Sequence, residues 1–280
     1  MIDTLTTADG LALHLRHWPV AGPARGSVLL VHGLGEHIGR YAHVAERLNG
    51  WGWNVVGFDH RGHGRSAGAL GRLNRDDDLL RDLALVIDTV RARFPGPLVL
   101  LGHSLGGLVA ARFVAEQIAA QPAAWARPVD ALVLSSPALD PGMNIVQKLM
   151  LAAIGPLAPN LAVGNGLNPE WISHDKAVVR AYVADPLVHD RIAARLARFI
   201  VDAGEFVRLC AARWRVPTLL MYAGRDRCVA PAGSRAFAAA APKAVVNVHE
   251  FPAMFHEIFN EPEQAEVFAV LGAWLAHRGH

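Results

Sequence analysis

The stretch Leu98-Val99-Leu100-Leu101-Gly102-His103-Ser104-Leu105-Gly106-Gly107 constrains this chain more than any other. Its apolar run has the character of a strand buried on both faces. A helical pattern follows at once, and only Gly-His-Ser-Leu-Gly joins the two. A chain that passes so abruptly from strand to helix over G-x-S-x-G sets the serine at the apex of a sharp, strained turn. Glycine at 102 and 106 removes side chains that would collide there. The Ser104 hydroxyl is then carried above the sheet. The first N–H groups of the next helix point the same way, unpaired and favourable to negative charge. The motif does not fix its own meaning, because a glycine-rich turn with an idle serine has the same pattern. The rest of the chain has to decide.

Several functional classes fall away on composition. With 52% hydrophobic and 19% charged residues, the 280-residue chain can bury a large core and is not disordered. The net charge of +2 with neutral histidines, without a long basic run, argues against a nucleic-acid partner. Cys210 and Cys228 form neither a C-x-x-C nor a metal-ligand cluster, so no metal site, no disulfide framework and a reducing compartment are expected. The start of the chain, Met1 to Gly10, lacks a charged segment followed by an apolar one, and no stretch has the roughly 18 apolar residues of a membrane span. The expectation is a soluble, cytoplasmic protein.

In chain order, residues 2–7 and 11–18 read as a hairpin around Asp9-Gly10. Short apolar strands are expected at Ser27–Val31, Asn54–Phe58, 98–103, Val129–Leu134, Thr218–Tyr222 and Val245–Phe251. Helices are expected at 41–49, Asp76–Phe94, from the elbow to about Ala119, at 231–241 and from Pro262 to His277. The helix over Asp76–Phe94 carries acids in its first turn and Arg91 and Arg93 in its last, matching the helix dipole. Strands alternating with amphipathic helices predict a mostly parallel central sheet covered on both faces. Residues 140–212 break the rhythm. They read as helical stretches only, broken by Pro156, Pro159, Gly164, Gly166, Pro169 and Pro186. The expected division is a core of 1–139 and 213–280, with 140–212 inserted after the sixth strand across one end of the sheet.

Ligand sites in open α/β sheets lie beyond the carboxyl ends of the strands. Four such ends carry reactive residues: His32–His37, Ser104, Asp226 and His256. A serine hydroxyl needs a base to act as a nucleophile at neutral pH, and a carboxylate commonly orients that base. Among 14 histidines, His256 follows a strand and precedes a helix, where a loop can aim it. His103 sits on the elbow, its ring directed away from the hydroxyl, and His249 lies within a strand. Asp226 directly follows an apolar strand, whereas its rivals Asp185 and Asp202 fall in the insertion and suit packing or capping. Ser104, Asp226 and His256 occur in the chain order of α/β-hydrolases. Acyl transfer places negative charge on the former carbonyl oxygen, which two backbone N–H groups should meet. Leu105 supplies one, and Leu34, between Gly33 and Gly35, is the candidate for the other.

The segments His32-Gly33-Leu34-Gly35-Glu36-His37 with Gly39-Arg40-Tyr41, Asp59-His60-Arg61-Gly62-His63-Gly64-Arg65-Ser66, Gly102-His103-Ser104-Leu105-Gly106-Gly107 and Ser135-Ser136-Pro137-Ala138-Leu139 resemble the monoacylglycerol lipase-like branch of the α/β-hydrolases. So do Ser173-His174-Asp175 and Asp185-Pro186-Leu187-Val188 within the insertion, although His174 stands where the branch carries arginine. The resemblance implies the α/β-hydrolase fold with a helical cap and a serine hydrolase of carboxylic esters, above all acylglycerols. No metal or organic cofactor is implied. A short-chain carboxylesterase, a lysophospholipase and a small aminopeptidase use the same triad and stay open, and a non-catalytic binding protein on this fold is the remote alternative. By resemblance, the cap forms an apolar tunnel, and Glu36 and Arg40 lie near a polar pocket for the alcohol, unless they form an ion pair that braces the loop. The apolar segment Val146 to Leu157 is either a lid helix that touches a membrane or micelle surface transiently or a helix packed on the core.

Overall fold

The computed structural model describes residues 2–119, 121–155 and 157–278, without the side chains of Ile2, Ile145, Val146, Lys148, Met150 and Ile154. The hairpin of β1 (Ile2–Thr6) and β2 (Ala12–Trp18) leads into β3 (Ser27–Val31), α1 (Ala42–Gly50), β4 (Asn54–Phe58), α2 (Asp78–Arg93) and β5 (Leu98–His103). Then come α3 (Leu105–Ala115) and β6 (Ala131–Ser135), followed in the insertion by α4 (Ile145–Ile154), β7 (Ala162–Gly164), α5 (Lys176–Ala184), β8 (Arg191–Ala193) and α6 (Ala194–Cys210). The chain closes with β9 (Thr218–Ala223), α7 (Pro231–Ala240), β10 (Val246–Phe251) and α8 (Gln264–Ala276).

These strands form an eight-stranded sheet in the order β1-β2-β4-β3-β5-β6-β9-β10. The hairpin is antiparallel and meets β4 antiparallel, and every pairing from β4 to β10 is parallel. This is the mostly parallel α/β-hydrolase sheet that the sequence implied. The reason is visible in the alternation of its strands. Leu29, Leu98, Leu100, Leu132, Leu134 and Leu220 enter one apolar layer, with α2, α3, α6 and α7. Val28, Leu30, Val99, Leu101, Val133 and Met221 enter the other, with α1 and α8. A strand buried on both sides has no polar face to expose, which is why it reads as an unbroken apolar run.

The boundaries differ in places from the expected ones, for local reasons. Helix α2 starts at Asp78 rather than Asp76, because the Asp78 carboxylate turns back to accept the N–H groups of Asn74 and Arg75 at 2.7 and 2.9 Å. Helix α3 ends at Ala115 and passes into a 3-10 turn over Glu116–Ile118. The insertion is not purely helical: β7 and β8 pair antiparallel, Val163 opposite Ile192. Its last helix, α6, buries Leu196, Phe199, Ile200, Ala203 and Val207 in the same layer as α3. In the expected lid segment, Leu149 is 62% and Leu157 86% exposed, so these side chains are not packed on the core. The side chains of Val146, Met150 and Ile154, and the whole of Pro156, lie outside the described residues. No described helix is long and apolar enough to cross a membrane.

Candidate active site

The elbow between β5 and α3 is as strained as its sequence suggests. Ser104 has φ 53° and ψ −119°, a left-handed backbone that L-residues seldom adopt. Its N–H donates to Ser135 O at 3.0 Å, and its carbonyl accepts from Ala138 N–H at 3.0 Å, so the neighbouring strand end holds the turn on both sides. A Cβ on Gly106 would lie 2.1 Å from Val31 O, and one on Gly102 2.4 Å from Gly106 O. Only glycine lets α3 start this close to the sheet. Ser104 is half-buried and opens into two adjoining cavities.

Asp226 and His256 follow β9 and β10, which pair in parallel, so their loops emerge side by side. His256 Nδ1 donates to Asp226 Oδ2 at 2.6 Å. The other carboxylate oxygen accepts the N–H groups of Cys228 at 2.8 Å and Val229 at 3.0 Å. Asp226 is thereby locked in orientation, and His256 is held in the tautomer that leaves Nε2 as an acceptor. Burial alone would lower the pKa of His256. The Asp226 carboxylate and its hydrogen bond, aided by Glu257 and Glu36, overcome this and raise it above the ordinary histidine value. Ser104 and His256 line the same cavity. Leu34 and Leu105 border the adjoining cavity beside Ser104. Leu105 is the first residue of α3, where amides lack intrahelical acceptors.

The rivals take other parts. His103 is buried, with Nδ1 3.0 Å from Ser135 Oγ and its ring 4.7 Å from that of His256. Burial, then the neighbouring His256, pushes its pKa down to about 4. His249 is exposed on the edge strand β10. Asp202 meets Arg198 on the surface at 3.4 Å. Asp185 accepts from His37 Nε2 at 2.9 Å and ties the insertion to the loop after β3.

Glu36 and Arg40 form a buried cluster with Glu257, a partner the sequence did not single out. Glu36 Oε1 accepts from Gly33 N–H and Tyr41 Oη, each at 2.6 Å, and Oε2 accepts from Arg40 at 2.6 Å. Arg40 also makes a two-pronged contact with Glu257, both distances being 2.7 Å. Burial opposes the ionisation of Glu36, but Arg40, His103, His32 and the Tyr41 hydrogen bond together outweigh it and hold the carboxyl at about 2. The cluster fixes the Gly33 peptide immediately before Leu34. Behind this turn lies a group of buried imidazoles: His32 is 4.5 Å from His60 and 5.5 Å from His63, and His63 is 4.6 Å from His189 of the insertion. His32 is held neutral, with Nδ1 donating to Gly33 O at 2.8 Å and Nε2 accepting from His60 N–H at 2.9 Å.

The two cavities differ in character. One, of about 330 Å³, is bordered by the carboxylates of Glu36, Asp185 and Glu257 together with Ile172, Val183 and Val188. The other, of about 480 Å³, is bordered largely by apolar groups, among them Ala138, Met143, Leu167, Ile192, Ile200 and Val229. Ser104 and Leu34 border both. Among the described residues, Asp226, Cys228 and His256 have donor atoms within 4.8 Å of one another and could hold a metal ion. Asp226 and His256 are already committed to each other, however. Burial, followed by Asp226 and Glu257, pushes the Cys228 thiol far above its ordinary range and keeps it protonated. The arrangement suits nucleophilic attack by a serine on a carbonyl set between a pocket lined by carboxylates and one without them.

A model of the serine aminopeptidase S33 family matches residues 22–263. The chain is 35% identical over 262 residues to a monoacylglycerol lipase of Mycolicibacterium smegmatis, covering 92% of this chain and 90% of that one. It is 30% identical over 250 residues to the phospholipase YtpA of Bacillus subtilis, covering 88% and 93%. The crystal structure of the Paleococcus ferrophilus monoacylglycerol lipase matches with a TM-score of 0.81 at 34% identity, covering 94% of this chain and 98% of that chain.

Proposed function

The chain belongs to the serine aminopeptidase S33 family, and from that premise we propose that it is a serine hydrolase that cleaves carboxylic esters, with monoacylglycerols as its substrate class. Ser104 attacks the ester carbonyl, and His256 Nε2 takes the hydroxyl proton. The backbone N–H groups of Leu34 and Leu105 receive the oxyanion. As the tetrahedral intermediate collapses, His256 returns the proton to the departing alcohol. Water then attacks the acyl-enzyme by the same route. Asp226 keeps Nδ1 protonated and stabilises the imidazolium. The observation that carries the reading is the 2.6 Å contact of His256 with Asp226, set beside an elbow serine that opens into both cavities.

In this reading residues 140–212 form the cap. The cavity without carboxylates receives the acyl chain, and the one bordered by Glu36 receives the alcohol, with Arg40 bound to Glu36. Leu149, Leu157, Leu161, Val163 and Val183 of the insertion are exposed, and we assign them to transient contact with a lipid surface. Free thiols at Cys210 and Cys228 suit a cytoplasmic location. A lysophospholipase is the second reading, favoured by the similarity to the Bacillus subtilis phospholipase. Amide substrates rank lower. The relatives that support the ester reading are named as monoacylglycerol lipases and a phospholipase.

The test is a hydrolysis panel: p-nitrophenyl esters of rising chain length, monoacylglycerols, a lysophospholipid and aminoacyl amides. A maximum on medium- or long-chain acylglycerols is expected, and a maximum on amides would overturn the proposal. Ser104→Ala should lower ester turnover by about four to six orders of magnitude.

A further inference from the structure

The loop that presents His256 is held from outside the core. Glu257 N–H, on one side of His256, donates to Ile172 O of the insertion at 2.8 Å. On the other side, the ring of Phe255 is stacked by His174, with centroids 3.7 Å apart and planes at 24°. Glu261 completes the clamp. Its side chain is fully buried, and it accepts from His174 N–H at 2.7 Å, His174 Nδ1 at 2.6 Å and Phe255 N–H at 3.3 Å. Ser173 Oγ adds a contact to Asn260 O at 2.9 Å. Residues 172–174 therefore grip the His256 loop at the residues before and after the imidazole. In the core, the Asp226 loop reaches it through Arg225 N–H to Met254 O at 3.2 Å and through the Asp226 carboxylate.

We propose that His174 and Glu261 are positioning residues for His256, so that the insertion not only covers the substrate but also sets the base. The proposal rests on the roles given above to Ser104 and His256. The backbone at Phe255 and Glu257 governs where Nε2 points. Proton transfer is sensitive to displacements of an ångström or less, which cost up to about 100-fold. Removing the His174 ring unstacks Phe255 and leaves the buried Glu261 carboxylate without its strongest donor. Arginine, the residue carried at this position by the family pattern, can supply both functions: a planar group over the ring and two donors toward the carboxylate.

The test compares His174→Ala and His174→Arg with the unaltered protein on p-nitrophenyl acetate, which is too short to fill the acyl cavity, and on a long-chain ester. Thermal unfolding and the rate of Ser104 labelling by a fluorophosphonate are measured in parallel. For His174→Ala, kcat is expected to fall about 10-fold on both esters, KM to stay within about two-fold, and labelling to slow with kcat. His174→Arg should restore kcat to within about two-fold. Unchanged kcat in His174→Ala, whether or not its melting temperature drops, overturns the proposal. So does a change confined to KM for the long ester, or an arginine variant as slow as the alanine one. If His174→Ala does not fold, His174→Gln keeps one donor without the ring, and full kcat in that variant overturns the proposal as well. An active Ser104→Ala would remove the premise. An inactive Ser104→Ala beside a fully active His174→Ala would remove the positioning role alone.

Discussion

Asp226 spends one carboxylate oxygen on His256 Nδ1, at 2.6 Å, and the other on the backbone N–H groups of Cys228 and Val229. The carboxylate cannot swing away from the imidazole without losing two further hydrogen bonds. This double commitment fixes the proton on Nδ1 and raises the His256 pKa against the effect of burial.

Activity should therefore fall on the acid side. A protonated imidazole cannot accept the serine proton, so kcat/KM should decline as pH drops through a value above the ordinary histidine pKa of about 6.5. In Asp226→Asn the raising partner is gone while burial remains. The acid limb should move to lower pH, and kcat should drop by about 10³ to 10⁴. The pH–rate profiles of the two proteins check this, and an acid limb that stays in place would point to a different titrating group.

Among the described residues, Arg40 is the one cation in ion-pair contact with the buried carboxylates of Glu36 and Glu257. Arg40→Ala leaves both uncompensated and should destabilise the protein by about 3–5 kcal/mol. Arg40→Lys keeps the charge but not the fork that meets Glu257 at two points, and should fall in between. Urea denaturation measures both. A loss below about 1 kcal/mol in Arg40→Ala would mean that the cluster is not held by this residue.

Acid should unfold the protein through a second set of groups. Burial pushes His32 and His63 down to about 3, His103 to about 4 and His60 well below its ordinary value. In the unfolded chain each takes up a proton near pH 6.5; in the fold each stays neutral. The stability they contribute is complete above about pH 6.5 and is lost as pH falls toward the folded values, at about 1.4 kcal/mol per pH unit for each. Glu36, with its lowered pKa, acts in the same direction at still lower pH. His256 is opposed: its raised pKa favours the fold at low pH, and that contribution disappears as pH rises through the folded value. Burial shifts His14, His17 and His189 the same way, and seven imidazoles against one predict a steep loss between about pH 6.5 and 5. Unfolding free energies at pH 7.5 and 5.5 test this, and equal values would show that these imidazoles are protonated in the fold.

The parallel strands were legible because burial on both faces leaves one signature, the unbroken apolar run of Ser27–Val31 or Thr218–Ala223. Ser104, Asp226 and His256 were legible because each stands at the end of such a run. The β7–β8 pair was not. Three residues each, with Gly164 opposite Arg191, give no alternation to read. Glu257 was hidden by its neighbour, since nothing in His256-Glu257 distinguishes a buried ion-pair partner from a solvated acid. The His174–Glu261 contact spans 87 residues; Ser173-His174-Asp175 stood out by resemblance, but no local pattern marks Glu261 as its partner. Periodicity reports what a residue does within its own element. Contacts between residues so far apart in the chain obey a geometry that arises only once the sheet has formed.

The pairing of Val31 with Gly102 in the β3–β5 ladder has a further consequence. Leu34 lies three residues beyond one member and Leu105 three beyond the other, so strand register sets the separation of their amides before the two loops make any contact. A slip of one residue would shift them by about 3.3 Å along the strand and reverse every side chain of β3. Leu29 and Val31 would exchange layers with Val28 and Leu30, which the two apolar layers resist across their whole extent. Tolerance at the mouth of the site is thus guaranteed by packing far below it. The ladder keeps the distance, and the glycines at 33, 102 and 106 let the two loops fit within it.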